Sequence, residues 1–325
     1  MGSIRQDTGL SGDELIALSS GDSSARIAPG IGANCVTFEI GGQAIVEPVA
    51  DLAGLRAAPT HGGCPILFPF AGRVRDGRYR FDGRDYQLPL NAPGEQAHLH
   101  GFAPGARWRV ASRDAASCVC AFDQAMLAPE ERSGYPWPFA LTVRWSVAPG
   151  RLRADVRVEN TGDGDLPFAF GLHPYLAVAP DATTRVPAAA QWPIAAGFMA
   201  GPTEATAGAW RWDELEPGAS LLLTDLPRGT VEATAGDTVV RFPGDRFGEV
   251  VVYRPPAGRA AVCLEPWTSV AGAANLLAPG EPHGLLRLAP GAAWEAWAEI
   301  GRQASGVRRQ ASGVRRQASG TGASN

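Results

Sequence analysis

The chain of 325 residues carries a formal net charge of −4 with 45% hydrophobic and 19% charged residues, a balance that excludes an intrinsically disordered protein. No basic excess exists for sequence-independent nucleic-acid binding, and no run of about 18 apolar residues exists for a membrane span. With 40 Gly and 27 Pro the chain is interrupted too often for a helical bundle, and because all 29 basic residues are Arg, Schiff-base and phosphate-loop lysine chemistry is excluded.

Taken in chain order, the opening MGSIRQDTGL lacks the charged, apolar and small-residue regions of a secretory signal, so a cytoplasmic location is expected. Asp13–Leu18 reads as a short helix. Gly30-Ile31-Gly32 has the look of a dinucleotide fingerprint, but the strand Cys35–Ile40 follows where a helix should begin, so it is read as a turn. Arg78–Leu88 is a hairpin around Asp82-Gly83, a pair that tolerates positive φ at both central positions. The cysteines, five in number and without a C-x-x-C pair, fit a reducing compartment, and Cys118 and Cys120 are expected as neighbours on one strand. A second short helix is expected around Ala128–Arg132. Leu141–Val147 and Arg151–Glu159 form a hairpin across Ala-Pro-Gly. In the latter strand Leu152, Ala154, Val156 and Val158 alternate with charged residues, the period of a half-buried antiparallel strand. Further strands are predicted at Thr238–Phe242, Glu249–Tyr253, Ala260–Leu264 and Ala293–Ile300.

From Gln303 the chain reads QASGVRR, QASGVRR, QASGTGASN, a seven-residue repeat with too few apolar positions for a coiled-coil seam. Five of the arginines and none of the 33 acidic residues fall after residue 300, which leaves the first 300 residues at −9. The expected organisation is all-β: one large antiparallel β-sandwich over residues 1–300, with few short helices, followed by a disordered tail over 301–325.

Four segments place ionisable groups among turn residues and aromatics: Pro65–Arg73, Ala97–Phe102, Phe170–Tyr175 and Val262–Thr268. A carboxylate (Glu265) and two imidazoles (His100 and His173) at strand ends are a minimum set for acid–base work near neutral pH, and Trp267 and Tyr175 offer faces on which a pyranose stacks. Taken alone, a His in a Gly- or Pro-containing turn is more often structural than functional, and a strand-end Glu pairs with an Arg as readily as with a substrate. His61 and His283 sit in loops without supporting residues and read as structural. His98 shares a strand face with His100 under period 2. Neither Gly-x-Ser-x-Gly nor His-Glu-x-x-His occurs.

The order of these motifs is more specific than any one of them. Phe68-Pro69-x-x-x-Arg73, then Leu99-His100-Gly101, then Gly171-Leu172-His173-Pro174-Tyr175, then Leu264-Glu265-Pro266-Trp267-Thr268 resembles the aldose 1-epimerase (mutarotase) family over residues 15–300. The resemblance implies a large antiparallel supersandwich and an isomerase that interconverts α and β anomers of an aldose. It implies Glu265 as the base at the C1 hydroxyl, His173 as the acid at the ring oxygen, His100 as a second histidine on the sugar, and Arg73 at sugar hydroxyls. It implies a small-molecule sugar as partner and no metal or organic cofactor. Where better-known galactose mutarotases carry Asn-His-x-Tyr-Phe and Glu-x-Gln, this chain has Leu172-His173-Pro174-Tyr175-Leu176 and Glu265-Pro266-Trp267, as in a divergent bacterial branch. Asp213 is the candidate for the family's substrate-binding Asp. Two alternatives follow: a hexose-6-phosphate mutarotase using Arg75, Arg78 or Arg107, and a non-catalytic carbohydrate-binding or regulatory module on the same fold.

Overall fold

A computed structural model of the chain describes residues 14–179, 182–211, 214–276, 278 and 280–303. The opening segment, residues 304–325 of the repeat tail and Asp213 lie outside the described residues, while Gly301 and Arg302, expected in the tail, instead complete the strand Ala293–Arg302 and pair with Val239 and Thr238. Strict alternation builds the first sheet. Phe139–Ala148 and Arg151–Asn160 pair antiparallel across the Pro149-Gly150 turn, with Gly150 at φ 76°. Leu152, Ala154, Val156 and Val158 are buried as the sequence pattern requires. These strands lie at the centre of a nine-stranded antiparallel sheet, flanked by Ser117–Asp123 on one side and Ala293–Arg302 on the other. Cys118 and Cys120 are both buried, unbonded thiols on Ser117–Asp123.

A twelve-stranded sheet faces it, running from the edge strand Ile16–Ser20 through Asn34–Ile40 and Tyr175–Ala177 to Ala261–Trp267, Glu249–Tyr253, Ser220–Thr224 and Ala190–Trp192. One apolar cluster joins the two sheets, with Phe38 and Leu264 from one and Val143, Val156 and Ile300 from the other. Trp145 reaches across it to donate to the Ala33 carbonyl at 2.9 Å. The architecture is the antiparallel β-sandwich expected, with α-helices only at Leu52–Ala57, Pro129–Gly134 and Ala273–Leu276 among the described residues. None of these is long and apolar enough to cross a membrane.

One element differs from expectation. The described part of the expected helix Asp13–Leu18 is not helical: Ile16–Ser20 pairs antiparallel with Ser23–Ala28, burying Ile16 and Leu18 while Ala17 faces solvent. Apolar residues at 15, 16 and 18 suit either period, and pairing with the next strand decides. The second helix is where the pattern places it, and Asp82-Gly83 turns its hairpin with φ 46° and 78°. Gly32 is a turn residue at φ 65°, where a Cβ would meet the Pro104 carbonyl oxygen at 2.5 Å.

Register in the larger sheet positions the chemistry. Glu249↔Trp267, Val251↔Glu265 and Tyr253↔Cys263 face each other across two central strands. Directly opposed side chains share a face, so these six form one face. Their alternates Val250, Val252, Val262 and Leu264 are all fully buried in the apolar core.

Candidate functional site

Glu265 stands on that face, 1% exposed, and its Oε2 accepts a hydrogen bond from the Trp267 indole at 3.1 Å. The indole lies against two glycines: a Cβ on Gly171 would come within 2.8 Å of Trp267, and one on Gly72 within 3.0 Å. Close approach, not chain flexibility, accounts for glycine at Gly171. His173 enters from the segment between Gly171–Leu172 and Tyr175–Ala177, where its backbone N–H donates to the Pro65 carbonyl. Its Nδ1 stops 3.4 Å from Glu265 Oε1, and no hydrogen bond satisfies that buried nitrogen. His100 follows the strand Ala97–Leu99 with φ 63°. Its Nδ1 accepts from the Gly72 N–H at 3.1 Å, which leaves the proton of a neutral ring on Nε2. The His100 ring lies 5.6 Å from that of His173 and 5.8 Å from that of Trp267.

Electrostatics follow from burial. Desolvation raises the Glu265 carboxyl well above the usual carboxylate range, and the Trp267 N–H opposes this only in part. Desolvation lowers His173 to about 3 and drives His100 well below the ordinary histidine value, with the neighbouring His173 and Arg73 adding to the effect on His100. Two buried groups that both resist charge, with facing atoms 3.4 Å apart, are placed to share one proton.

Arg73 lies at the rim of this group. It opens the strand Arg73–Arg75, paired with Ala97–Leu99, and its Nε donates to Glu95 in a half-exposed ion pair. The apolar run before it does not form one strand up to Arg73: the ladder covers Ile66–Leu67, and a single bridge from Phe68 to Gly101 follows it. Tyr175 stacks on His173 with ring centroids 4.8 Å apart, and its hydroxyl donates to the Thr60 carbonyl at 2.9 Å. It walls the imidazole rather than offering a free hydroxyl. His98 is not a partner of His100. The left-handed backbone at His100 breaks the alternation, and His98 points between Phe70 and Phe102 with Nδ1 on the Pro89 carbonyl. Burial lowers it to about 4.

The fold also brings in residues that the sequence left unmarked. The Tyr253 ring meets that of His173 edge-on at 5.9 Å. Arg259 lies over the Tyr175 ring at 4.3 Å, held by Glu47 and by the His61 carbonyl. His61, read as structural, lies near enough to lower both His100 and His173. His283, also read as structural, is paired with the fully buried Glu249. Only the pairing of Glu249–Tyr253 with Ala261–Trp267 could have signalled Tyr253 and Glu249, and that register is set by tertiary packing. His173, Glu265 and Cys263 hold their ligand atoms within 4.8 Å of one another, a donor set of the kind zinc takes. Burial keeps the Cys263 thiol well above its ordinary value, so metal binding there would first have to deprotonate a desolvated thiol.

The chain matches the family model described as aldose 1-epimerase over residues 14–206. It is 29% identical over 164 residues to the Escherichia coli protein YihR, which covers 50% of each chain. It is 30% identical over 143 residues to YphB of the same organism, covering 44% of this chain and 46% of that one. The chain thus spans about half the length of the curated relatives it matches. Its fold is similar to that of a galactose mutarotase-like protein from Clostridium acetobutylicum, with a TM-score of 0.76 at 19% identity over 89% of this chain and 95% of that one. It is also similar to galactose 1-epimerase from Lactobacillus acidophilus, with a TM-score of 0.67 at 16% identity over 89% and 94%.

Proposed function

The chain belongs to the aldose 1-epimerase family, and from that premise we propose that it interconverts the α and β anomers of an aldose by acid–base ring opening and closure. The observation that carries this reading is the buried contact of Glu265 Oε1 with His173 Nδ1 at 3.4 Å beside the His100 ring. Anomer exchange needs a base at O1 and an acid at O5, with no net gain or loss of protons. Glu265 takes the proton of the C1 hydroxyl while His173 delivers one to the ring oxygen. The C1–O5 bond breaks and C1=O1 forms. After rotation about C1–C2, the O5 hydroxyl returns its proton to His173 as O5 attacks the other face of C1, and Glu265 reprotonates O1. The pair carries one proton, which burial places on Glu265 at rest; ring opening proceeds from the arrangement with that proton on His173, in which desolvation makes Glu265 the stronger base and the imidazolium the stronger acid.

His100 stays neutral, and its Nε2–H, fixed by the Gly72 bond, donates toward the ring oxygen as negative charge develops there. Arg73, tied to Glu95 at the rim, and Trp267 complete the polar and apolar walls. Tyr175 positions His173 from behind. Asp213, outside the described residues, remains a proposed contact to substrate hydroxyls. The body over residues 1–300 is proposed to act as one domain in the cytoplasm, with the repeat tail dispensable.

An uncharged sugar is favoured over a sugar phosphate. Arg75 is stacked on Phe198 at 4.1 Å, and Arg78 donates to Gln87 at 3.1 Å, so two of the three arginines that could hold a phosphate are engaged elsewhere. A binding module without turnover would need hydroxyl contacts but no buried carboxylate–imidazole pair whose facing nitrogen is left without a hydrogen bond. The test is polarimetry of freshly dissolved α-D-glucose, α-D-galactose and a panel of further aldoses. Relaxation faster than buffer supports the reading; relaxation at the buffer rate for every aldose refutes it.

A further inference from the structure

A second buried carboxylate shares the face that carries Glu265. Glu249 is fully buried opposite Trp267. Register extends the face outward: Val250 pairs with Leu223 and Val251 with Leu222, and Leu222 and Thr224 pair in turn with Trp192 and Ala190. Alternation then places Thr224 and Trp192 on the same face as Glu249 and Glu265. Glu249 Oε1 accepts from Thr224 Oγ1 at 3.2 Å and is paired with His283 Nδ1. Glu249 Oε2 has no partner, and neither has the buried Nε1 of Trp192. The Trp192 and His283 rings meet edge-on at 5.4 Å, so both orphan atoms belong to one cluster. Burial raises the Glu249 carboxyl, opposed first by His283, then by Thr224 and by the Trp192 indole, whose N–H is directed at the carboxylate without completing a hydrogen bond to it.

An unsatisfied buried acceptor beside an unsatisfied buried donor is costly unless a third group bridges them. A hydroxyl does both: it donates to Oε2 and accepts from Nε1. Glu249 is a diagonal neighbour of Glu265, a separation of about 7–8 Å between such positions. The strand bearing Trp192 runs on into the hairpin Ile194–Ala195 and Phe198–Met199, whose Gly197 lies against the Arg73 guanidinium. The same segment therefore borders both Arg73 and the Glu249 cluster.

We propose that Glu249 and Trp192 together hold one hydroxyl of the aldose at the end remote from C1, with Thr224 and His283 positioning the Glu249 carboxylate, and that this subsite selects the sugar. The proposal rests on the mutarotase reading for its placement of C1 at Glu265. It adds a specificity determinant built from residues far apart in the chain. His283 supplies the positive partner that keeps a carboxylate in this desolvated place, its own pKa raised by the Glu249 bond.

The test compares wild type, Trp192→Phe and Glu249→Gln on the best aldose and on each of its monodeoxy analogues, with melting temperatures measured alongside. Trp192→Phe keeps an aromatic ring and removes only the donor, so it reports on the subsite even if Glu249→Gln folds poorly. One deoxy analogue should be about 10- to 100-fold poorer in kcat/KM with wild type. Trp192→Phe should lose a similar factor on the parent sugar, mainly through KM, and lose nothing further on that analogue. An equal loss on the parent and every analogue, or an unchanged KM, overturns the subsite and leaves a structural water as the bridging group. If wild type turns over no aldose, the same coupling is sought in equilibrium sugar binding by NMR titration. Coupling there upholds the subsite while the mutarotase reading falls, and its absence overturns the subsite as well.

Discussion

Replacing Trp267 by Phe tests whether the indole governs Glu265, the proposed base. The substitution removes one hydrogen bond, Trp267 Nε1 to Glu265 Oε2 at 3.1 Å, and leaves an aromatic ring between Gly72 and Gly171. Burial raises the Glu265 carboxyl, and the indole is the one bond that opposes it. A hydrogen bond to a charged group contributes about 1.5–3 kcal/mol. Its loss should therefore move the acid limb of the pH profile of kcat/KM upward by about one to two pH units, at 1.36 kcal/mol per unit. The direction is fixed: without the donor the ionised base is less stable, so a higher pH is needed to form it. At a pH below the limb, kcat/KM should fall about 10- to 100-fold, and above it the two proteins should converge. The assay is the pH dependence of anomerisation by polarimetry, with circular dichroism melting to exclude gross unfolding. An acid limb that stays in place while turnover falls at every pH would refute the claim that the indole tunes Glu265.

Other outcomes follow from the same geometry. Glu265→Gln should lower anomerisation by at least about 100-fold and should also melt higher than wild type at pH 8. The raised carboxyl gives stability that is full below the unfolded carboxylate value of about 4.3 and declines as pH rises toward the folded value, so the difference in melting should close near pH 4. His100→Asn keeps a residue that tolerates φ 63° but removes the Nε2–H, so kcat should fall about 100-fold with little change in melting temperature. Gly171→Ala brings a Cβ to 2.8 Å from Trp267 and should reduce activity by displacing the indole from Glu265, a loss visible in kcat at every pH. Truncation after Gln303 should leave turnover and melting temperature unchanged. Truncation before Arg302 should lower the melting temperature, because Arg302 pairs with Thr238 in the nine-stranded sheet.

The strands whose side chains alternate cleanly were legible in the sequence because one face is buried and the other wet. Arg151–Asn160 is the clearest case. Asp82-Gly83 was legible because few residue pairs accept positive φ twice. Ile16–Ser20 was not, since its apolar spacing serves a helix turn as well as a strand, and only contact with Ser23–Ala28 settles it. Of the motif residues, His173 and His100 each follow a short strand as expected, whereas Glu265, expected at a strand end, lies inside Ala261–Trp267 because the ladder with Glu249–Tyr253 runs on past it to Trp267. The Glu249 cluster was illegible for the opposite reason. Trp192, Thr224, Glu249 and His283 span some ninety residues, none lies in a recognisable motif, and only the register of four strands and a loop makes them neighbours. His98 misled because period 2 was carried one residue past the end of its strand into a left-handed turn.

The central claim is that Glu265 and His173 move protons to and from an aldose. Exchange NMR at anomeric equilibrium measures this directly, since it reads α-to-β conversion with no net reaction. Wild-type protein should raise the exchange rate of at least one aldose well above buffer, and Glu265→Gln at the same concentration should return it close to the buffer rate while sugar binding persists. Equal exchange with wild type and Glu265→Gln would contradict the account.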